Sequence, residues 1–114
     1  GQAEDQLNIV NAEIMISNVT FNNAKSDAFD CDYCKGKISN LKFNNIGGDA
    51  LDISGSVINA QGLFINNTKD KAISIGENSI VNLNDLLIKN TSTGVAVKDG
   101  SKVNIKKIEF KNIF

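Results

Sequence analysis

The chain has 114 residues, of which 41% are hydrophobic and 22% are charged, and this composition excludes a largely disordered protein. The formal net charge of −1 argues against nucleic acid as a partner, because phosphate binding needs an excess of clustered basic residues. No stretch of the sequence approaches the length of a membrane span, so we expect no membrane insertion.

Three residue types are absent from the chain, and their absence narrows the chemistry that it can perform. The sequence contains no His, no Arg and no Trp. Without His it lacks the commonest general acid/base and metal ligand, and without Arg it lacks the bidentate clamp for carboxylate or phosphate. We therefore favour a non-catalytic role and expect no organic cofactor.

A repeat of about 22 residues runs five times through the sequence. One column of the repeat is aromatic or aliphatic, and an invariant Asn follows two residues later in each copy. Successive copies are separated by 22, 22, 23 and 22 residues. The apolar column is Phe21, Phe43, Ile65, Ile88 and Phe110, and the Asn column is Asn23, Asn45, Asn67, Asn90 and Asn112. A fixed period of this size predicts a solenoid, in which each repeat buries its apolar side against its neighbours.

Each repeat contains three short segments in which apolar residues alternate with polar ones, which is typical of half-buried strands. In the best-defined repeat these segments are centred on Leu51-x-Ile53, Ile58-x-Ala60 and Leu63-x-Ile65, with polar turn residues between them. When the repeats stack so that equivalent residues lie above one another, these segments form an all-β fold. We predict a parallel β-helix of about five rungs, with three short strands in each rung and three sheets around an apolar core.

The Asn column continues the inward phase of the third segment, as in Val19-x-Phe21-x-Asn23. We therefore predict that the column points into the core at a corner. Buried amides are stable only when they are hydrogen-bonded, and stacked amides can bond to one another. The prediction is an internal Asn ladder with a structural role.

These features resemble a known family. Phrases such as residues 49–56 (DALDISGS) and 71–79 (KAISIGENS), together with the repeat length and the Asn ladder, are similar to the right-handed parallel β-helix, or pectin-lyase-like, superfamily and to repeats of bacterial surface proteins. The resemblance covers roughly residues 12–114. It implies a right-handed β-helix and a secreted or cell-surface location, and it implies that polysaccharide is the ligand class to test first.

The strongest candidate site is an acidic cluster on the outer face of the first two full rungs. Two pairs of carboxylates are spaced by 22 residues, and Tyr33 lies beside them. The candidate ligand or cation residues are Asp27, Asp30, Asp32, Asp49, Asp52 and Tyr33. Stacked carboxylates repel one another unless a hard cation such as Ca²⁺, a raised pKa or a basic neighbour offsets the repulsion.

Asp30 and Asp52 are the candidate pair for Ca²⁺, whereas Lys71 continues the column of Asp27 and Asp49 and could pair with Asp49 instead. By resemblance, such clusters bind Ca²⁺ in polysaccharide lyases and serve as general acids and bases in polygalacturonases. This chain departs from both patterns, because the Arg and His that accompany those sites are missing. Three interpretations stay open for the cluster: a solvated face, weak Ca²⁺ binding, and catalysis.

The C-x-x-C sequence of Cys31 and Cys34 lacks both a redox context and a second pair of metal ligands. Cys31 occupies an apolar column, which predicts a buried side chain. A disulfide between the two residues is compatible with their spacing. The redox state therefore stays open at this point.

The ends of the repeat array predict further contacts. We interpret residues 1–11 as an N-terminal extension or partial cap and residues 12–114 as a β-helix within a longer protein. The C-terminal edge should be covered by additional rungs, a helix or another copy of the chain. The predicted function is a non-catalytic module, acting as a rigid spacer or carbohydrate-contacting scaffold. Its alternatives are a fragment of a polysaccharide lyase, hydrolase or epimerase, and a structural unit that assembles end to end.

Overall fold

A computed structural model describes residues 7–113 of the chain. These residues form ten β-strands that alternate between short and long, and one short strand with the following long strand makes one rung. The strands are β1 (Leu7–Val10), β2 (Glu13–Asn22), β3 (Phe29–Asp32), β4 (Lys35–Ile46), β5 (Leu51–Ser54), β6 (Val57–Thr68), β7 (Lys71–Gly76), β8 (Ile80–Thr91), β9 (Thr93–Val97) and β10 (Lys102–Ile113). The predicted all-β solenoid of about five rungs is confirmed. Residues 7–113 include no helix with the length and apolar character needed to cross a membrane.

All strand pairs in the two sheets are parallel. The short strands pair in the order β1-β3-β5-β7-β9, and the long strands pair in the order β10-β8-β6-β4-β2. The register follows the sequence repeat, since Phe43 lies opposite Phe21 on one side and Ile65 on the other. The 23-residue step is absorbed in the turn at residues 77–79, which is one residue longer than the turn at residues 55–56.

The long strands bend at one residue each, and that residue lies in the left-handed region of the backbone. The bend residues are Asn18, Asn40, Gly62, Asp85 and Lys107, with φ between 55° and 73°. A left-handed residue breaks the alternation, so that two successive side chains point outward before the inward phase resumes. The predicted second and third segments are therefore the two halves of one strand, and hydrogen bonding defines two sheets instead of three.

The core is a continuous stack of the predicted apolar columns. Phe21 and Phe43 stack with ring centroids 4.8 Å apart and an interplanar angle of 7°. Phe43, Leu51 and Ile65 are fully buried in the middle rungs. β1 lies within the predicted N-terminal extension (residues 1–11) and pairs with β3 as part of the first rung. Residues 1–6 lie outside the described part of the chain, so the partial cap stays a prediction.

The Asn ladder is present, but its predicted position in the core is wrong. Asn45 donates from Nδ2 to Oδ1 of Asn23 at 3.2 Å, and Asn67 donates to Asn45 at 2.8 Å. Asn112 donates in the same way to Asn90 at 3.2 Å. Four of the five side chains are exposed and that of Asn90 is half-buried.

The physical reason is the left-handed backbone at each member of the ladder. Their φ angles lie between 54° and 66°, so the alternation is broken here as it is at the bend. The residue after each of the first four ladder Asn residues, such as Ile46 or Thr68, turns inward and is buried. Asn suits the corner because it adopts this conformation more readily than other non-glycine residues and also bonds across rungs.

We expect Asn45→Ala to lower the free energy of unfolding by about 1–2 kcal/mol, because alanine loses both ladder bonds and is strained in the left-handed conformation. Asn45→Gly removes the same bonds but tolerates the conformation, so its cost should be about 1 kcal/mol or less. Urea denaturation of the two variants measures the difference. Equal costs would show that the left-handed backbone contributes nothing, and two unchanged stabilities would show that the ladder bonds contribute nothing.

The corner between the short and long strands is closed by buried serines and by the two cysteines. The backbone N–H of Cys34 donates to Oγ of Ser56 at 2.8 Å, and that of Ser56 donates to Oγ of Ser79 at 3.0 Å. Cys34 occupies the position of this column one rung before Ser56. It forms a disulfide with Cys31, and both residues are buried. The predicted burial of Cys31 is therefore confirmed.

Candidate functional site

The acidic cluster lies where the chain enters the short strands. Asp27 and Asp49 precede β3 and β5 by two residues, and Asp52 lies within β5. Each of these three residues places a carboxylate oxygen within 4.8 Å of the other two. We call this group the acidic corner. Asp30 is in register with Asp52 on the neighbouring strand, as its column predicted, but it is not part of the corner.

Asp32 and Tyr33 lie at the end of β3, in the same rung as Asp27 and Asp30. Asp32 pairs in register with Ser54. Tyr33 has a left-handed backbone and an exposed ring, and its hydroxyl donates to Glu77 at 3.4 Å. The ring lies against Gly55 of the next rung, where a Cβ atom would approach it to 2.6 Å. Tyr33 therefore covers the neighbouring turn.

Two carboxylates of the acidic corner hold the backbone of the following rung. The N–H of Asp49 donates to Oδ1 of Asp27 at 2.8 Å, and the N–H of Lys71 donates to Oδ1 of Asp49 at 2.9 Å. The Lys71 ammonium lies 4.0 Å from Asp49 and 3.2 Å from Asp70. The sequence-based pairing of Lys71 with Asp49 is thus found. These contacts give Asp27 and Asp49 a structural role at the corner.

The electrostatics of the corner differ from those of an ordinary surface carboxylate. Burial raises the pKa of Asp52 from 3.8 to about 6, and the nearby charges of Asp27, Asp49 and Asp32 act in the same direction. Burial also raises the pKa of Asp49, although its hydrogen bond from the Lys71 backbone opposes the change. Converging carboxylate oxygens suit a hard cation, and a carboxyl with a pKa near 6 suits proton transfer. Calcium binding and acid/base chemistry at this corner both stay predictions.

A second region, which the sequence did not predict, lies on the outer face of the long-strand sheet. It is a groove of about 730 Å³ that spans β4, β6, β8 and β10. Its outward-facing side chains are mostly amides, and we call it the amide groove. They are Lys37, Ser39, Asn59, Gln61, Asn82, Asn84, Asn104 and Lys106.

The amide groove contains a ladder of its own. Asn82 donates from Nδ2 to Oδ1 of Asn59 at 2.8 Å, and Asn104 donates to Asn82 at 3.1 Å. Beside this ladder, Oδ1 of Asn84 is buried and has no hydrogen-bond partner among residues 7–113. A buried amide oxygen without a partner is uncommon in folded proteins, and a donor would reach this one only after the Asn84 side chain rotates.

The charge of the groove is positive at both ends. Lys37 lies on β4 and Lys106 on β10, and no carboxylate is present among the lining residues of the described chain.

The sequence carried a signal for this surface. Lys37, Asn59, Asn82 and Asn104 recur at the repeat spacing, and Ser39, Gln61, Asn84 and Lys106 do the same. Those columns are polar and outward, which on a solenoid does not distinguish a groove from an ordinary solvated face.

Comparison with known proteins identifies neither a family nor a function for this chain. The chain matches no protein-family model, no curated protein and no solved structure. Its relation to the pectin-lyase-like superfamily therefore stays a resemblance in repeat length and pattern, and the site must be interpreted from its own geometry.

Proposed function

We propose that the chain is a non-catalytic β-helix module of a secreted or cell-surface protein, and that it contacts carbohydrate through the amide groove. The observation that carries the proposal is the groove of about 730 Å³ itself, which is lined mostly by amide side chains, several of them exposed. Amide groups both donate and accept, so they can pair with the hydroxyl groups of a sugar without strong charge.

The repetition of the groove favours an extended ligand. Two amides line the groove from each of β6 and β8 and one from β10, on stacked parallel strands about 4.8 Å apart. A polysaccharide presents its hydroxyl groups in a similar repeating manner along an extended chain. The lysines at the two ends favour a chain that carries carboxylates, since Lys37 and Lys106 have no acidic neighbour among the groove residues.

The amide groove is a better contact surface than the predicted acidic face for a physical reason. Asp27 and Asp49 already accept backbone hydrogen bonds, whereas the groove presents exposed amides such as Asn59 and Gln61. The acidic residues would also repel a carboxylated sugar unless a cation lay between them. We therefore place the carbohydrate contact on the long-strand sheet.

Binding should weaken about three- to tenfold when Asn82 and Asn84 are each replaced by alanine, because each change removes one or two hydrogen-bonding groups from the groove. Isothermal titration calorimetry with oligogalacturonate, alginate oligosaccharides and cello-oligosaccharides measures this change. Asn44→Ala is the matched control, since Asn44 lies on the same sheet outside the groove and bonds to Asn22 in the same manner.

The lysines are tested in the same titrations. Lys37→Ala combined with Lys106→Ala should remove any preference for carboxylated over neutral oligosaccharides. Absence of heat with every oligosaccharide class, or equal losses in the groove variants and in Asn44→Ala, would contradict the proposed function.

A second candidate is the enzymatic one, a fragment of a polysaccharide lyase, hydrolase or epimerase. The observation that favours it is the pKa of about 6 at Asp52, which lets this carboxyl hold or release a proton near neutral pH. Assays for turnover of the same polysaccharides by the unmodified chain and by Asp52→Asn test this candidate, which requires turnover that the variant loses.

A further inference from the structure

The two edges of the long-strand sheet are complementary to each other. β2 and β10 are the outer strands, and each is paired on one side only. At the β10 edge, apolar side chains that belong to the core columns are exposed: Ile105 by 41%, Phe110 by 46% and Ile113 by 39%. In the middle rungs the same columns are fully buried, as at Phe43 and Ile65.

If the register between neighbouring rungs is extended by one rung, β10 of one copy lies opposite β2 of another copy. All pairs in this sheet are parallel and join equivalent positions of the repeat. In such a step Phe110 lies on Phe21, Asn112 on Asn23, and Lys102 on Glu13. The apolar, amide and outward columns would each continue across the junction.

The charges of the two edges favour this pairing over a symmetric contact between two β10 edges. β10 carries four lysines and one glutamate, whereas β2 carries Glu13 and no lysine. Two β10 edges brought together would place lysines against lysines, which disfavours a symmetric dimer. The β10 and β2 edges differ in charge, and a contact between different surfaces propagates into a linear array.

We propose that the β10 edge of one copy binds the β2 edge of a second copy, in parallel and in register, so that the molecules associate head to tail. The partner is a second copy of this chain because its β2 edge supplies both the matching columns and the carboxylate opposite Lys102. This association does not depend on carbohydrate binding at the amide groove, which lies on the outer face of the same sheet.

The test is a charge exchange at the junction, measured by sedimentation velocity and light scattering over a range of protein concentrations. The unmodified chain should show a concentration-dependent series of oligomers. Glu13→Lys or Lys102→Glu alone should weaken association by about fivefold, because each turns an attraction into a repulsion. The double variant E13K/K102E should recover most of the original association, since the pair is restored with its signs exchanged.

Both residues are exposed, so circular dichroism should show the same fold in all four proteins. Glu109→Lys is the matched control, because Glu109 lies on β10 opposite the uncharged Thr20 in the proposed register. A chain that stays monomeric at every concentration would overturn the proposal. It would also be overturned if the single variants associate as the unmodified chain does, or if the double variant shows no recovery.

Discussion

Replacing Phe43 with alanine is expected to lower the free energy of unfolding by about 3–5 kcal/mol, which is a larger loss than we expect from any other single substitution. Phe43 is fully buried and its ring stacks on Phe21 at 4.8 Å. Truncation removes the apolar surface of the ring and leaves a cavity between rungs that are fixed by strand pairing on both sides. Urea denaturation followed by circular dichroism measures the loss.

Phe64 provides the matched control for this prediction. It lies in the next rung, one residue before the buried Ile65, and its half-buried side chain faces outward with the Lys89 ammonium 5.3 Å from the ring centroid. Phe64→Ala should cost about 1 kcal/mol or less, because little apolar surface is returned to water. Equal losses in the two variants would mean that the inward and outward phases of the long strands are assigned wrongly.

The second large effect is expected at Asp52, where replacement by asparagine should stabilise the protein near neutral pH. The pKa of Asp52 is about 6 in the folded protein, against a usual value of 3.8. The folded state therefore holds the proton more tightly than the unfolded state does. This difference corresponds to roughly 3 kcal/mol at most, and partial solvent access reduces it to about 1–2 kcal/mol at pH 7.

The sign of the pH dependence follows from the raised pKa. Below about pH 3, Asp52 is protonated in both states and has no effect on their balance. Between about pH 4 and pH 6 the unfolded state loses its proton first, so the Asp52 contribution lowers stability as the pH rises, and above about pH 6 the loss is complete. Asp52→Asn should remove this slope, and its gain in stability should vanish below about pH 3.

Thermal melts of Asp52→Asn and of the control Asp85→Asn, which removes an exposed carboxylate at the bend of β8, measure this effect across the pH range. A variant that is less stable than the unmodified chain at pH 7 would show that the Asp52 charge is favourable in the fold, as a bound cation would make it. Melts with calcium or with a chelator then test the predicted Ca²⁺ directly, because a ligand of the native state raises the melting temperature. Loss of polysaccharide turnover in a folded Asp52→Asn protein would support the enzymatic candidate.

The sequence predicted the rungs and the core because these depend on periodicity alone. Phe21, Phe43 and Ile65 recur at the repeat length, and strand pairing turns that recurrence into vertical stacking. The same reasoning failed for the Asn ladder. Strict alternation placed Asn45 inward, whereas its left-handed backbone places it outward and turns Ile46 into the core.

The candidate sites were predicted less completely for a related reason. Column spacing showed that Asp27 stacks with Asp49 and Asp30 with Asp52, but it could not show that Asp52 approaches Asp27 and Asp49 across columns. That approach depends on the path of the corner before β5. The amide groove was missed because the curvature of the outer face depends on the bends within the long strands, at residues such as Gly62, and polar columns look alike whether they line a groove or face open solvent.

The most direct test of the carbohydrate proposal is an NMR titration that follows the side-chain and backbone amide signals as oligogalacturonate is added. We predict that the side-chain amide signals of the groove shift together and saturably, with Asn82 and Asn84 among the largest changes, while the backbone signals of Asp27, Asp49 and Lys71 at the acidic corner stay in place. Shifts confined to the acidic corner, or no saturable shift anywhere with this or the other oligosaccharides, would contradict the assignment of the groove as the contact surface.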